Sequence, residues 1–362
     1  MLVSSFAFAV CKWSLSVTTL PASLFYHFLE FNSGQESIEV PADGVLLSAF
    51  EVCQAFLSEP VNRSVNFLAF GDWGGLSFHP FTTPVQTSVA DQMSIVAGRE
   101  KASFVVALGD NFYLFGVENV DDPRFQTTFE SVYHSSSLHV PWYVVAGNHD
   151  YYGNVSAQIA YTKRSNRWKF PDYYHKVSET IPGGKTLDIV LIDTIQLCGN
   201  VFALGVQPAG PADKKAAEAQ WAWIEQTLNK STADYLLVGG HYPVQSVAEH
   251  GPTDCLTHRL EPLLYRYNVS AYMAGHDHQL QHIQMNKEGQ TMDYFNVGAG
   301  NFVDKSQAHI SSIPPENLKF FFADLMYFGG FSFFEVTDTE MKIRFIDGVG
   351  NVRHEHVIKP RE

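Results

Sequence analysis

Short apolar runs recur along the chain from residue 65 onward, and each runs directly into a glycine followed by a polar side chain. Val65 to Phe70 leads into Gly71-Asp72-Trp73-Gly74-Gly75, Phe104 to Leu108 into Gly109-Asp110-Asn111-Phe112-Tyr113, and Trp142 to Ala146 into Gly147-Asn148-His149-Asp150. Continuous apolar runs with this punctuation read as buried strands. Helical patterns separate them. Thr83-Pro84 opens one, with Val85, Val89, Gln92 and Val96 at helical spacing as far as Lys101, and the stretch from Pro123 to Tyr133 predicts another.

The second half repeats the alternation. Leu187 to Asp193 predicts a strand, Ala217, Trp221, Ile224 and Leu228 form one face of a helix, and Tyr235 to Gly239 is a strand that ends at His241. Leu256 to Tyr267 predicts a further helix, and Val269 to Ala274 a strand that delivers Gly275-His276-Asp277-His278. Tyr294 to Val297, Phe331 to Val336 and Met341 to Phe345 read as antiparallel closing strands, and the aromatic run Phe320, Phe321, Phe322, Phe328, Phe331, Phe333 and Phe334 as core. Strand and helix in turn predict an α/β fold.

Residues 1–64 differ in pattern from the rest of the chain. Apolar pieces from Leu2 to Val10 and Leu20 to Leu29 are interrupted by Lys12, Pro21, His27 and Glu30, so no clean transmembrane helix emerges, and a signal peptide has no clear limits. Val45 to Leu57 carries Glu51 and Gln54 and reads as a short amphipathic helix. The expected organisation is an N-terminal leader or extension over 1–64 and one catalytic domain over 65–362.

Charge narrows the function. With 24 Lys plus Arg against 38 Asp plus Glu, the formal charge of −14 argues against nucleic acid as a partner. It would also repel a phosphorylated substrate unless bound metal ions supplied local positive charge. Cys11, Cys53, Cys198 and Cys255 match no zinc-finger spacing. Sequons at Asn62, Asn154, Asn229 and Asn268 are usable only in the secretory pathway, and Asn268, abutting a strand, is expected to be the least accessible.

The strand ends together present Asp72, Asp110 with Tyr113, Asn148 with His149, His241, and His276 with His278. A glycine beside each lets the side chain project from a tight turn toward a shared rim. Singly, these residues are turn formers, helix caps or buried polar groups. As a set they are oxygen and imidazole donors too numerous for one ion, and they suit two ions a few Å apart, an arrangement used for in-line displacement at phosphorus.

In this order the motifs Gly-Asp-x-Gly, Gly-Asp-x-x-Tyr, Gly-Asn-His-Asp, Val-x-x-His and Gly-His-x-His resemble those of the purple acid phosphatases, within the metallophosphoesterase superfamily. The likeness is greatest to the small animal-type, tartrate-resistant (type 5) group. It extends to Leu197-Cys198-Gly199-Asn200, His241-Tyr242-Pro243-Val244 and Ala248-Glu249-His250-Gly251-Pro252-Thr253. The resemblance implies a four-layer αββα sandwich of two mixed β-sheets flanked by helices. It implies Fe(III) held by Asp72, Tyr113 and His278, a divalent ion held by Asn148, His241 and His276, and Asp110 as the bridge. Fe(II) is the favoured divalent ion, with zinc and manganese as alternatives, since these donors do not discriminate.

The same resemblance places His149 and His250 over the substrate and pairs Cys198 with Cys255. Gly199 to Asp213, rich in Gly, Pro and small residues, reads as an exposed loop; the resemblance implies that it covers the site until it is cut, and with no acid before Asp213 the covering contact is expected to be apolar, through Val201, Phe202 or Leu204. The implied activity is hydrolysis of a phosphomonoester, phosphoproteins included, by attack of metal-bound hydroxide. The implied setting is a monomer that is secreted or lysosomal/vacuolar. Two other readings stay open: a phosphodiesterase of the same superfamily, and a secreted, non-enzymatic iron-binding protein. Tyr113 argues against the first, since most diesterase relatives need no phenolate; His149 and His250 argue against the second.

Overall fold

The computed structural model describes residues 64–201 and 206–361. The first sheet contains β1 (Val65–Phe70), β2 (Phe104–Leu108), β3 (Trp142–Val145), β4 (Trp168–Lys169), β12 (Gly330–Val336), β13 (Met341–Asp347) and β14 (Val352–Ile358). The second contains β5 (His175–Thr180), β6 (Thr186–Leu191), β7 (Tyr235–Gly239), β8 (Ala271–Ala274), β9 (Leu280–Lys287), β10 (Gln290–Val297) and β11 (Leu318–Phe322). Their orders are β14-β13-β12-β1-β2-β3-β4 and β11-β9-β10-β8-β7-β6-β5. Within each, a parallel block (β1 to β4; β6, β7, β8 and β10) is flanked by antiparallel strands.

The period-2 alternation of strand side chains produces the layers. Phe67, Ala69, Phe104, Val106 and Leu108 share a core with Leu187, Ile189, Leu191, Leu237 and Met273 of the other sheet. Their neighbours Leu68, Phe70, Val105 and Ala107 turn outward onto Val85, Val89 and Met93 of helix α1 (Pro84–Glu100). On the far side Val190, Ile192, Leu236 and Val238 meet Trp221, Ile224 and Leu228 of a long helix over Lys214–Lys230. The stack is therefore helix, sheet, sheet, helix, as the resemblance implied. The helices between and after these are α2 (Val155–Tyr161), α3 (Thr194–Cys198), α4 (the Lys214–Lys230 helix), α5 (Asp254–Arg259) and α6 (Glu261–Arg266).

Several expectations change. The helix expected over Leu256 to Tyr267 is two short ones, because Pro262 has no N–H to give to the carbonyl of His258 and the chain breaks at Leu260. The stretch from Pro123 to Tyr133 holds a π-helical turn, Phe125–Glu130, with the Ser131 amide reaching back to Gln126. Tyr294 to Val297, expected among antiparallel strands, pairs antiparallel with β9 but parallel with β8. Phe331, Phe333 and Phe334 are core, whereas Phe328 is exposed in a left-handed turn (φ 51°) and Phe320 to Phe322 are only half-buried in β11.

Cys198 at the end of α3 is disulfide-bonded to Cys255 in α5, with Cα atoms 5.7 Å apart. Asn154, Asn229 and Asn268 are all exposed, so the low accessibility expected of Asn268 is not found. Asn62, Cys11, Cys53, the segment 45–57 and the loop residues Phe202 and Leu204 lie outside the described residues. Among the described residues, no helix is long and apolar enough to cross a membrane.

Candidate metal centre

The carboxyl ends of β1, β2 and β3 in one sheet and of β7 and β8 in the other come out on one rim, stitched by backbone bonds. The Gly71 amide donates to Val297, that of Asp72 to Gly109, and that of Gly275 to His241, at 2.8, 2.9 and 3.0 Å. Two glycines let the sheet ends approach: a Cβ on Gly71 would stand 3.1 Å from the Cα of Gly275.

The backbone device differs from the one expected. Asp72, Asp110 and His276 themselves occupy the left-handed region, at φ 58°, 51° and 71°, whereas of the adjacent glycines only Gly109 does. Strain of this kind is carried where the surrounding structure imposes it. Gly147 and Gly275 are needed for another reason. A Cβ on Gly147 would lie 2.2 Å from Asp110 Oδ1, and one on Gly275 would lie 2.4 Å from Asp72 Oδ2.

The donors converge in two linked groups. In one, the Tyr113 hydroxyl donates to Asp72 Oδ1 at 2.9 Å and stands 3.1 Å from His278 Nε2. In the other, His241 Nε2 lies 2.9 Å from Asn148 Oδ1 and 3.5 Å from Asp110 Oδ1. One donor atom from each of Asp72, Asp110 and His241 falls within 4.8 Å of the others, so the groups share a centre. His276 joins through its amide, which donates to Asp72 Oδ2 at 2.7 Å, and its ring lies 5.0 Å from that of His241.

Electrostatics favours cations here. Asp72 and Asp110 are fully buried, yet among the described residues neither has a Lys or Arg partner. Buried carboxylates of this kind need positive charge close by. Burial would raise the Asp110 carboxyl, but His241, His149 and the His149 amide outweigh it and hold it below its ordinary value. Burial, with Asp110 and Asp72, holds the Tyr113 hydroxyl well above its ordinary range. Burial and the surrounding imidazoles hold His276 well below its own, so it enters as a neutral donor.

His149 and His250 flank the rim. His149 sets its ring edge-on to Tyr113 at 4.6 Å and engages the Leu114 carbonyl through Nδ1 at 2.8 Å. His250 lies with its ring 3.9 Å from that of His276, and its Nδ1 is 2.8 Å from Asp277 Oδ1. The other Asp277 oxygen accepts from Ser246 at 2.5 Å, and Gln281 donates to that hydroxyl at 2.8 Å. The sequence assigns no role to Asp277, although it sits between the two histidines of Gly-His-x-His. Nor does it assign one to Asp150, which accepts from the amides of Gly147, Asn111 and Phe112 and so ties the loops after β2 and β3 together. Phe302, whose ring lies 4.9 Å from that of Tyr113 and 5.5 Å from that of His278, had no sequence signal.

The loop after α3 closes at its base. The Gly210 amide donates to the Cys198 carbonyl at 3.0 Å, Asn200 Nδ2 to the Asn148 carbonyl at 3.2 Å, and the Tyr152 hydroxyl to the Val201 carbonyl at 2.6 Å. The start of this loop is thus fixed beside Asn148.

Two stacked sheets with such a donor set at their carboxyl ends define a metallophosphoesterase, and the chain belongs to the calcineurin-like phosphoesterase family, whose model matches residues 65–280. It is 45% identical over 296 residues to tartrate-resistant acid phosphatase type 5 of Oryctolagus cuniculus, covering 81% of this chain and 90% of that protein. To purple acid phosphatase 4 of Arabidopsis thaliana it is 32% identical over 302 residues, covering 80% of this chain and 82% of the relative. Among solved structures, GAP50, described as the anchor in the inner membrane complex of Plasmodium, aligns with a TM-score of 0.70 at 24% identity, over 83% of this chain and 90% of that one. That last likeness bears on the fold alone. Family and donor set together imply a binuclear metal centre acting on phosphoesters.

Proposed function

We propose that the chain is an acid phosphatase that hydrolyses phosphomonoesters at this centre, with Asp72, Tyr113 and His278 holding Fe(III), Asn148, His241 and His276 holding a divalent ion, and Asp110 bridging. The observation that carries the reading is the position of the Tyr113 hydroxyl, 2.9 Å from Asp72 Oδ1 and 3.1 Å from His278 Nε2. Anionic donors on one side suit a trivalent ion, and the neutral amide and imidazoles on the other suit a divalent one. Fe(II) is the divalent ion favoured, with zinc or manganese able to take the same donors.

When bound, the ion pair supplies positive charge for the phosphate and a water acidic enough to act as nucleophile. The chain's own residues do the rest. Asp72, Asp110 and a Tyr113 phenolate leave the loaded site cationic, and the −14 formal charge elsewhere is screened beyond a Debye length of about 8 Å. His250 engages Asp277 through Nδ1, which leaves Nε2 to donate a proton to the departing alkoxide. His149, anchored through Nδ1 on Leu114, presents Nε2 to a phosphate oxygen. The disulfide and the exposed sequons at Asn154, Asn229 and Asn268 support a secreted or lysosomal setting.

The test is a parallel assay of iron-loaded protein on para-nitrophenyl phosphate and its bis ester. Preference for the monoester is expected. Preference for the diester would favour the phosphodiesterase reading, and no turnover on either would favour an iron-binding protein.

A further inference from the structure

A second set of donors lies away from the catalytic rim. His282 on β9 and Asp293 on β10 belong to the second sheet, and His354 and His356 on β14 belong to the first. Asp293 pairs with Ala271, the first residue of β8, whereas the catalytic His276 follows the last. The two places are thus separated by the length of β8, about 10 Å at roughly 3.3 Å per residue.

The geometry points to a third metal site, in which His282, Asp293 and His356 hold a divalent ion of the zinc class between the two sheets. His282 Nε2 is 2.8 Å from Asp293 Oδ1, and His356 Nε2 is 3.3 Å from Asp293 Oδ2. All three donor atoms lie within 4.8 Å of one another. A tetrahedral zinc ion at ligand distances of about 2.0–2.1 Å needs donor separations of about 3.3 Å, so opening the His282 to Asp293 contact by roughly half an ångström makes room.

The surroundings fit a ligand set. His282 Nδ1 is 3.0 Å from His354 Nε2, and Gln284 Nε2 donates to Asp293 Oδ1 at 2.9 Å, so both a ligating imidazole and the carboxylate are oriented by further groups. The set holds a single carboxylate, and among the described residues Asp293 has no Lys or Arg partner. A cavity of about 370 Å³ opens on Asp293, His356 and Gln284, leaving a face of the site for water to complete the coordination. The ion would tie the edge strand β14 to the opposite sheet, across a gap the two sheets otherwise close by side-chain packing.

The test counts zinc in the full chain after stripping, saturation and desalting. His356 is the residue to change, because its side chain is 23% exposed while that of His282 is fully buried. His356→Ala is expected to retain one zinc fewer per chain than the parent and to keep the parental phosphatase rate. His356→Cys is expected to recover that ion, and with cadmium to give an ultraviolet cadmium–thiolate band in addition to any that Cys11 and Cys53 give in the parent. The difference between parent and variant is read whatever the catalytic centre holds, so failure of the phosphatase reading would leave this result intact. Equal zinc content in parent and folded His356→Ala would overturn the site, as would His356→Cys without the additional cadmium band.

Discussion

Gly275→Ala tests whether the carboxylate of Asp72, a proposed metal ligand, is as tightly seated as the geometry implies. The added Cβ would stand 2.4 Å from Asp72 Oδ2 and 3.1 Å from the Leu108 carbonyl, where ordinary contact begins at 3.4 Å. Asp72 is already confined, with its backbone at φ 58° and its Oδ2 accepting from the His276 amide at 2.7 Å. Relief therefore requires the carboxylate to move by about 1 Å, on the scale at which misplacement costs about 10²-fold in rate. Overpacking adds about 1–3 kcal/mol of destabilisation. The assay is kcat on para-nitrophenyl phosphate with metal content measured on the same samples, and thermal unfolding to confirm the fold. Gly98→Ala in α1 is the control, since its Cβ would meet nothing nearer than Ser137 at 3.6 Å, and no loss is expected. A Gly275→Ala protein with parental rate and metal content would refute the claim that this glycine is there for the carboxylate.

Four further outcomes are expected. Tyr113→Phe should abolish the visible absorbance of the iron-loaded protein while Asp72 and His278 keep much of the metal; a coloured variant would refute the phenolate assignment. His250→Ala should lower kcat about 10²-fold on alkyl phosphates and much less on para-nitrophenyl phosphate, whose leaving group needs no proton; equal losses would make His250 a phosphate-binding residue instead. Cys198→Ser should cost about 4 kcal/mol in chemical unfolding under the chain-entropy model, since the bond joins cysteines 57 residues apart; an unchanged midpoint would show that the bond does not constrain the unfolded chain. Burial raises the Asp193 carboxyl to about 6 despite the bonds it accepts from Tyr151, Gln196 and Ile195. A raised folded-state pKa favours the fold below the unfolded value and loses that benefit as pH rises through about 6. Measured against Asp193→Asn, the parent should therefore gain about 2 kcal/mol between about pH 7.5 and pH 4, and a difference independent of pH would refute the shift.

How much of the molecule is legible in the sequence depends on how each residue does its work. Strands buried on both faces leave mostly apolar runs, interrupted only at Asn66 in β1 and at Thr186 and Asp188 in β6, so β1, β2, β3, β6, β7 and β8 are legible, and with them the polar residues at their carboxyl ends. Edge strands are not. β5 (His175–Thr180) is polar except at Val177, and β14 (Val352–Ile358) has four polar residues in a row from Arg353 to His356, so no apolar run marks them, although β14 carries the histidines of the proposed third site. The glycines of the motifs are visible, but their purpose is not. Composition suggests that they supply left-handed turns, whereas the structure puts Asp72, Asp110 and His276 in that conformation and keeps Gly147 and Gly275 small to clear Asp110 and Asp72. A residue held at positive φ and a neighbouring glycine that exists only to avoid a carboxylate leave the same two letters as an ordinary turn. Asp277 shows the same limit from the other side. It stands between two legible histidines, but its role lies in reaching His250, 27 residues earlier, and a partnership of that kind exists only once β8 has been placed beside β7.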